Sequence, residues 1–235
     1  MKLLKYLLAA ALALAPLPNV NAAGWLPLVK PAGGAPFYVK AGNIAVADGG
    51  TGSNSFTSAI GTATATRVIL IGVVQGNSTA FTSITVNGVT ATAIFSGTSR
   101  PEMQFFQITG TAPGSGTQTV TLNGGAFFVQ IAQVWYMDNL NSTTVKQTAK
   151  SSGNPPVTTN INITAGDFLF SIIGSGQTGF SWSSSTDPVA NSATLSNGTT
   201  SIGNADWTTV STNASWAATV SWAANTQEQM LVSFR

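Results

Sequence analysis

Few side chains in this protein can do chemistry. Histidine and cysteine are both absent, and the chain has only seven Asp or Glu residues and nine Lys or Arg residues. General acid-base catalysis uses His most often, and metal sites other than oxygen-only ones need His or Cys. A pair of carboxylates is nevertheless enough to hydrolyse a glycoside. Glu102 and Glu228 are the residues that could face an Asp in such a pair, but neither has a recognisable acidic partner in the sequence. We therefore expect a binding or structural protein rather than an enzyme, with an exported glycosidase as an alternative.

Four aspartates fall near the ends of expected strands, where carboxylates and main-chain carbonyls could form an oxygen-only calcium site. These residues are Asp138, Asp167, Asp187 and Asp206. Aspartates at such positions more commonly cap turns. We expect no cofactor, and a structural calcium ion is the alternative.

Tryptophans are concentrated near the end of the chain, and exposed Trp faces beside Asn, Ser and Thr can hold sugar rings by stacking and hydrogen bonding. Trp182 lies in the polar run GFSWSS, and Trp216 lies close to Asn213. These three residues are the candidate ligand-binding residues, and surface glycans are the expected ligands. Trp222 alternates with Val220, and Trp135 lies inside a long apolar run, so both are expected to pack in a core.

The elements that must position these residues are β-strands. Apolar and β-branched residues alternate in short runs bounded by Gly, Asn, Pro and Ser. The run RVILIGVV (67–74) is too uniformly apolar for a half-solvated strand and indicates a central one. The runs SITV and VTATAI flank Asn87-Gly88, which is a favoured two-residue hairpin turn. Further strands are expected at 103–109, 117–122, 126–137, 157–163, 167–173, 207–211, 217–222 and 229–234. The pattern predicts an all-β fold, an antiparallel β-sandwich of jelly-roll type, with an N-terminal apolar segment and an extended arm.

The first 22 residues have the layout of a secretory signal, with Lys2 and Lys5 ahead of a short apolar run and small residues at its end. The alternative is a retained segment that anchors the protein in a membrane or packs on a neighbouring subunit. Removing Lys2 and Lys5 from the nine basic residues leaves seven, which balance the seven acidic ones. The remaining basic residues are scattered, so nucleic-acid binding is not expected. A polar chain with few charges is suited to a secreted protein, a cell surface or a virion.

Three regions follow from composition: a signal peptide or apolar anchor (1–22), a Gly/Pro/Ala-rich arm or linker (23–58) and a β-sandwich domain (59–235). Within the domain, strand order is echoed between 59–140 and 155–235, which indicates a quasi-repeat. The echo fits two tandem sandwiches or one sandwich whose sheets draw strands from both halves. We expect one sandwich, because no charged or Pro-rich linker separates the halves.

The run AVADGGTG (45–52), with its GGTG element at Gly49 to Gly52, resembles a short element of tail fibres and related virion proteins of tailed bacteriophages. The order of the RVILIGVV strand, the ITVNG hairpin and the GDFLFSI strand is similar to that of β-sandwich modules in phage structural proteins and bacterial surface proteins. This resemblance implies a connecting region ahead of a receptor-binding or trimerising module.

Together these features predict a non-enzymatic structural or attachment protein of a virion or bacterial cell surface, acting as a homo-oligomer or through surface binding. A secreted carbohydrate-binding module that uses exposed tryptophans is the alternative of a different class.

Overall fold

The computed structural model describes residues 34–47, 52–76, 81–97, 102–124, 129–175, 179–196, 201–209, 211–223 and 227–235. All strands of the described residues belong to one compact unit, which spans residues 35–235. The predicted signal peptide lies outside the described residues, as do Gly49, Gly50 and Thr51 of the GGTG element. No helix that could cross a membrane occurs in the part of the chain that the structure describes.

The first half of the unit forms two antiparallel sheets. Within the described residues its strands are β1 (Phe37–Ala47), β2 (Gly52–Ala59), β3 (Val68–Gln75), β4 (Phe81–Val86), β5 (Val89–Thr90), β6 (Thr92–Ser96), β7 (Glu102–Thr109), β8 (Thr117–Gly124) and β9 (Val129–Asp138). Sheet A has the order β1-β9-β3-β7-β6, and sheet B has the order β2-β8-β4-β5. The first half of the chain therefore crosses repeatedly between the two sheets, and its first and last strands, β1 and β9, are neighbours in sheet A.

The second half repeats this topology. Its strands within the described residues are β10 (Gln147–Gly153), β11 (Val157–Ile163), β12 (Phe168–Ser175), β13 (Ser181–Ser184), β14 (Asn191–Ser196), β15 (Ser201–Thr208), β16 (Asn213–Ser221) and β17 (Gln227–Phe234). Sheet C has the order β10-β17-β12-β15-β14, which matches sheet A strand for strand. Sheet D, β11-β16-β13, matches the first three strands of sheet B.

Each half is thus an antiparallel sandwich with strands in jelly-roll order. The all-β, jelly-roll-like prediction is confirmed. The expectation of one sandwich with mixed sheets is wrong, because every sheet draws its strands from a single half. A linker is not required to separate the halves, since the two jelly rolls pack against each other over a large apolar face.

The two jelly rolls stack in four layers, in the order B, A, C, D. One core cluster joins the facing surfaces of sheets A and C, and includes Leu70, Phe105, Phe170 and Val232. Other clusters fill the spaces between A and B and between C and D. Sheet A is therefore covered on both faces, which explains why every residue of β3 is buried. This burial confirms the central strand predicted from the run RVILIGVV.

Glycine at position 72 permits the close approach of the central sheets. A Cβ placed on Gly72 would lie 2.8 Å from Cγ2 of Ile172 on β12 and 3.2 Å from the ring of Trp135. Strands β3 and β12 accordingly lie opposite each other in the middle of the stack. Sheets A and C therefore have the same strand order and face each other through their central strands.

The hairpin predicted at Asn87-Gly88 is confirmed. Both residues have positive φ, 48° and 79°, and Val86 is paired with Val89 across the turn. The second arm is shorter than expected, because the chain leaves sheet B after Thr90 and joins sheet A as β6.

Several predicted boundaries are wrong. Strands β1 and β2 occupy much of the segment interpreted as an arm (23–58), because pairing with β9 and β8 overrides its Gly/Pro/Ala-rich composition. Both jelly rolls consequently begin earlier than the quasi-repeat 59–140 and 155–235 indicated, and the second one begins with β10. The strand expected at 207–211 is instead β15, which ends at Thr208.

Candidate functional site

The structure does not bring the sequence-predicted ligand residues together at an exposed surface. Trp216 is fully buried, and its indole N–H donates a 2.7 Å hydrogen bond to Oδ2 of Asp187. Trp182 is partly buried, with its ring 6.0 Å from that of buried Trp207. Asn213 is partly exposed, and its Oδ1 accepts a hydrogen bond from the main-chain N–H of Ser215.

The expectation that Trp216 is exposed is therefore wrong. On β16, Trp216 shares a face with Ala218 and Val220, and all three are buried. Trp182 pairs in register with Val220 and lies on a strand, β13, rather than in a loop. Successive side chains of a strand point to opposite faces of the sheet. These rings are therefore on the face that packs against sheet C, although their neighbours in sequence are polar. Trp135 and Trp222 are buried, as predicted.

The aspartates considered as calcium ligands act as hydrogen-bond acceptors for their surroundings. Asp167 accepts from the main-chain N–H of Thr164 and forms an ion pair with Lys146. No group of three acidic side chains that could hold a metal ion occurs among the described residues. Glu102 lies on β7 and Glu228 on β17, in different sheets. The calcium ion and the glycosidase carboxylate pair remain predictions.

Asp206 forms a polar contact between the two jelly rolls. It is fully buried on β15, and it accepts from the Tyr38 hydroxyl (2.7 Å) and the Trp135 indole N–H (3.0 Å) of the first jelly roll. Asn191 on β14 donates a further 2.7 Å bond to it. Burial, together with the charge of Asp206 and the hydrogen bond from Tyr38 to Asp206, raises the pKa of Tyr38 well above its ordinary value. Burial lowers the pKa of Lys40, and Asp206 opposes that shift. Because these hydrogen bonds link β15 to Tyr38 and Trp135 of the first jelly roll, we assign Asp206 a structural role.

A small apolar patch is exposed at the start of β1. Phe37 and Val39 are the exposed large hydrophobic residues of the described chain, at 42% and 36% of their full accessible area. They alternate along β1 with Tyr38, whose ring packs into the core between sheets A and C. In register they lie opposite Asp138 and Tyr136 of β9, which places all four side chains on one face of sheet A. Phe37, Val39 and the partly exposed Tyr136 are hereafter the β1 patch.

A pocket of about 380 Å³ adjoins the β1 patch. The Phe37 and Tyr136 rings, 6.3 Å apart and nearly perpendicular, contribute its aromatic lining. Arg67 and Asp138 contribute charge, and the remaining lining comes from Gly61, Thr62, Ser115 and Gly116. We take the β1 patch and this pocket together as the candidate functional site.

Arg67 is a buried positive charge whose donors are all directed at main-chain oxygens. Its guanidinium donates to the carbonyls of Ile60, Gly110, Thr111, Ala112 and Gly114. These bonds hold the segment between β7 and β8 against the start of β3. Burial lowers the pKa of Arg67 and Asp138 opposes this, but a guanidinium remains charged in proteins.

Asp138 is the acidic member of the pocket and is held as an ion. Its Oδ1 accepts from the hydroxyls of Thr64 (2.6 Å) and Thr66 (2.7 Å) and from the main-chain N–H of Asn139 (2.7 Å). Burial acts to raise the pKa of Asp138, but these bonds and the charge of Arg67 outweigh it and lower the pKa. The site therefore carries one fixed negative and one fixed positive charge.

Sequence reasoning missed this site, although the run FYV (37–39) carried a signal. Three large apolar or aromatic residues in succession are unusual for an arm rich in Gly and Ala, and they indicate a strand with one side chain directed inward. The proximity of β1 to Asp138, about a hundred residues later, is set only by strand pairing. Comparisons with protein families, with curated protein sequences and with solved structures found no match for this chain.

Proposed function

We propose that this protein is a non-enzymatic structural or attachment protein of a virion or bacterial cell surface, and that its copies associate through the edge of sheet A. The observation that carries the proposal is the apolar start of β1, which is an edge strand of sheet A within the described residues. This strand lies at the end of sheet A and exposes Phe37 and Val39. An edge strand presents unpaired main-chain groups, so exposed apolar side chains on it favour pairing with another chain.

The second jelly roll provides an internal comparison. Its equivalent edge strand, β10, exposes Thr148, Lys150 and Ser152. Charged and polar side chains, lysine especially, are the usual protection of an edge strand against association. The two topologically equivalent edges thus differ in their exposed side chains: those at the start of β1, ahead of Lys40 and the register shift that follows it, are apolar, whereas those of β10 are polar or charged. This difference supports the start of β1 as the surface that a second copy covers.

The outer faces of the stack support a role in packing. On sheet B, Ser55, Thr121, Thr85 and Thr90 lie in one row across the strands. On sheet D, Thr158, Thr219 and Ser183 form a similar row. Such uncharged hydroxyl rows can be covered by a neighbouring molecule without the cost of desolvating charges. Jelly rolls also occur in viral capsid and lectin domains, which is an analogy of fold.

The test is the oligomeric state of the full chain and of Val39→Lys, measured by sedimentation velocity over a concentration series. We expect the wild-type protein to associate and the variant to do so at least tenfold more weakly. Losing one buried Val side chain costs about 1.5 kcal/mol, and facing lysines add repulsion, while 1.4 kcal/mol corresponds to about tenfold.

Thr148→Lys is the matched control, because it adds the same charge to the exposed face of β10. It is expected to leave association unchanged. A wild-type protein that stays monomeric at high micromolar concentration would refute self-association, and equal effects of the two substitutions would exclude β1 as the contact.

A further inference from the structure

The pocket beside the β1 patch combines an exposed aromatic ring with a hydrogen-bond acceptor. Phe37 is 42% exposed and stands nearly perpendicular to Tyr136. Aromatic rings at the mouth of a pocket give an apolar ligand face a surface to stack on, while a few polar groups fix its orientation. A ligand for this pocket should therefore have an apolar face and a polar edge.

Asp138 offers a preorganised acceptor within the pocket. Three protein donors bind its Oδ1, whereas its Oδ2 accepts no hydrogen bond from any residue that the structure describes. The bonds to Oδ1 fix the orientation of the carboxylate and leave the second oxygen for a ligand donor. A ligand hydroxyl would make a charge-assisted hydrogen bond there, which is stronger than a neutral one.

The charges of the pocket decide between classes of ligand. Arg67 lines the same pocket, but its N–H groups are directed at main-chain carbonyls, so it contributes charge without offering a donor to an anion. An anionic ligand would be repelled by Asp138. A quaternary ammonium ion, which also favours aromatic rings, would meet the positive charge of Arg67. A neutral ligand rich in hydroxyl groups avoids both penalties.

We infer that this pocket binds a neutral saccharide, with a sugar face stacked on Phe37 and a sugar hydroxyl donating to Oδ2 of Asp138. The pocket volume of about 380 Å³ is at the lower end of the range for small-molecule sites, which suits a short saccharide. This inference rests on the attachment role proposed above and names its ligand class. It requires that association through β1 covers Val39 and leaves the Phe37 ring open at the mouth of the pocket. It also moves the carbohydrate site from the tryptophans of the second jelly roll to the first jelly roll.

The experiment is saturation-transfer NMR on the full chain with four neutral disaccharides as probes: lactose, maltose, cellobiose and N,N′-diacetylchitobiose. We expect transfer to at least one of them, with an affinity that falls about tenfold or more in Phe37→Ala and in Asp138→Asn. Phe37→Ala removes an exposed ring and leaves the core intact. Asp138→Asn keeps an oxygen that can accept from Thr64 and Thr66, and circular dichroism reports whether each variant is folded.

Phe95→Ala is the matched control, because it removes a partly buried ring at the opposite edge strand of sheet A, and it should leave binding unchanged. Absence of transfer to all four sugars would overturn the inference. Transfer that survives Phe37→Ala and Asp138→Asn but is lost in Trp182→Phe would also overturn it and would locate the site on sheet D. Tighter binding of tetramethylammonium than of any sugar would overturn it in favour of a cation site.

The same variants separate this inference from the proposed self-association. Asp138→Asn does not alter the β1 edge, so it should leave the sedimentation behaviour of the protein unchanged while it weakens sugar binding. Sugar binding by a protein that is monomeric would leave the ligand assignment standing and refute the edge contact. Association without sugar binding would leave the edge contact standing and refute the ligand assignment.

Discussion

Replacing Asp206 with Ala should destabilise the contact between the two jelly rolls. The substitution removes the acceptor used by Tyr38 and Trp135 of the first jelly roll and by Asn191 of the second. Trp135 is fully buried, so its indole N–H would be left without a partner, at a cost of about 1–3 kcal/mol. Tyr38 and Asn191 are less buried and can bind water, so each should lose only about 0.5–1 kcal/mol.

The free energy of unfolding should therefore fall by about 3 kcal/mol. This is less than the three hydrogen-bond contributions together, because the variant no longer buries a carboxylate. For a chain of this size, 1 kcal/mol corresponds to about 2–4 °C in melting temperature, so the melting temperature should fall by about 6–12 °C. Urea and thermal unfolding at neutral pH, followed by circular dichroism, measure both quantities. Asp206→Asn keeps one acceptor oxygen, which can face the Trp135 N–H while the amide NH2 donates to the Tyr38 hydroxyl, so the free energy of unfolding should fall less than in Asp206→Ala. A loss under about 1 kcal/mol in Asp206→Ala would refute the assignment of this carboxylate as the acceptor for a buried donor.

Two further changes test local features. Gly88→Ala should lower the free energy of unfolding by about 1–2 kcal/mol, as measured by urea unfolding, because a side chain disfavours positive φ. No atom lies within 4 Å of the added Cβ, so no clash contributes. An unchanged urea midpoint would contradict the turn geometry. Tyr38→Phe should reduce the alkaline sensitivity of the protein. The raised pKa of Tyr38 gives stability that is complete below about pH 10 and is lost as pH rises above that value, so the wild type should weaken more than the variant between about pH 9 and pH 11. Lys40, whose lowered pKa acts in the opposite direction, is present in both proteins. Parallel unfolding curves across this interval would show that Tyr38 does not titrate differently on folding.

The strands that the sequence predicted are those whose signals are local. The β3 run is uniformly apolar because both faces are buried, and Asn87-Gly88 supports a tight turn through backbone conformations that need no distant partner. Strand β11 shows a strict alternation of buried and exposed residues, and its predicted bounds are those observed. In each case a short stretch of chain contains the whole physical reason for its structure.

The elements that the sequence missed depend on partners far away in the chain. Strand β1 has a composition suited to an arm and becomes a strand because β9 supplies its hydrogen bonds. Trp216 has polar neighbours in sequence, yet it is buried because its face of sheet D packs on sheet C and because Asp187 accepts its N–H. A large ring on a strand is exposed or buried according to whether another sheet covers its face of the strand. The residues next to it in sequence do not determine this.

By itself the sequence determined an all-β chain with few charges, its central strands and its hairpin, because hydrophobic periodicity and turn chemistry act over a few residues. The tertiary structure alone decided that the chain is two jelly rolls stacked through their inner sheets, and that Phe37, Tyr136, Arg67 and Asp138 share one pocket. Those residues are separated by up to a hundred positions, and only strand pairing and sheet packing bring them together. The pairing of distant strands is set by the complementarity of whole faces, which no local pattern encodes.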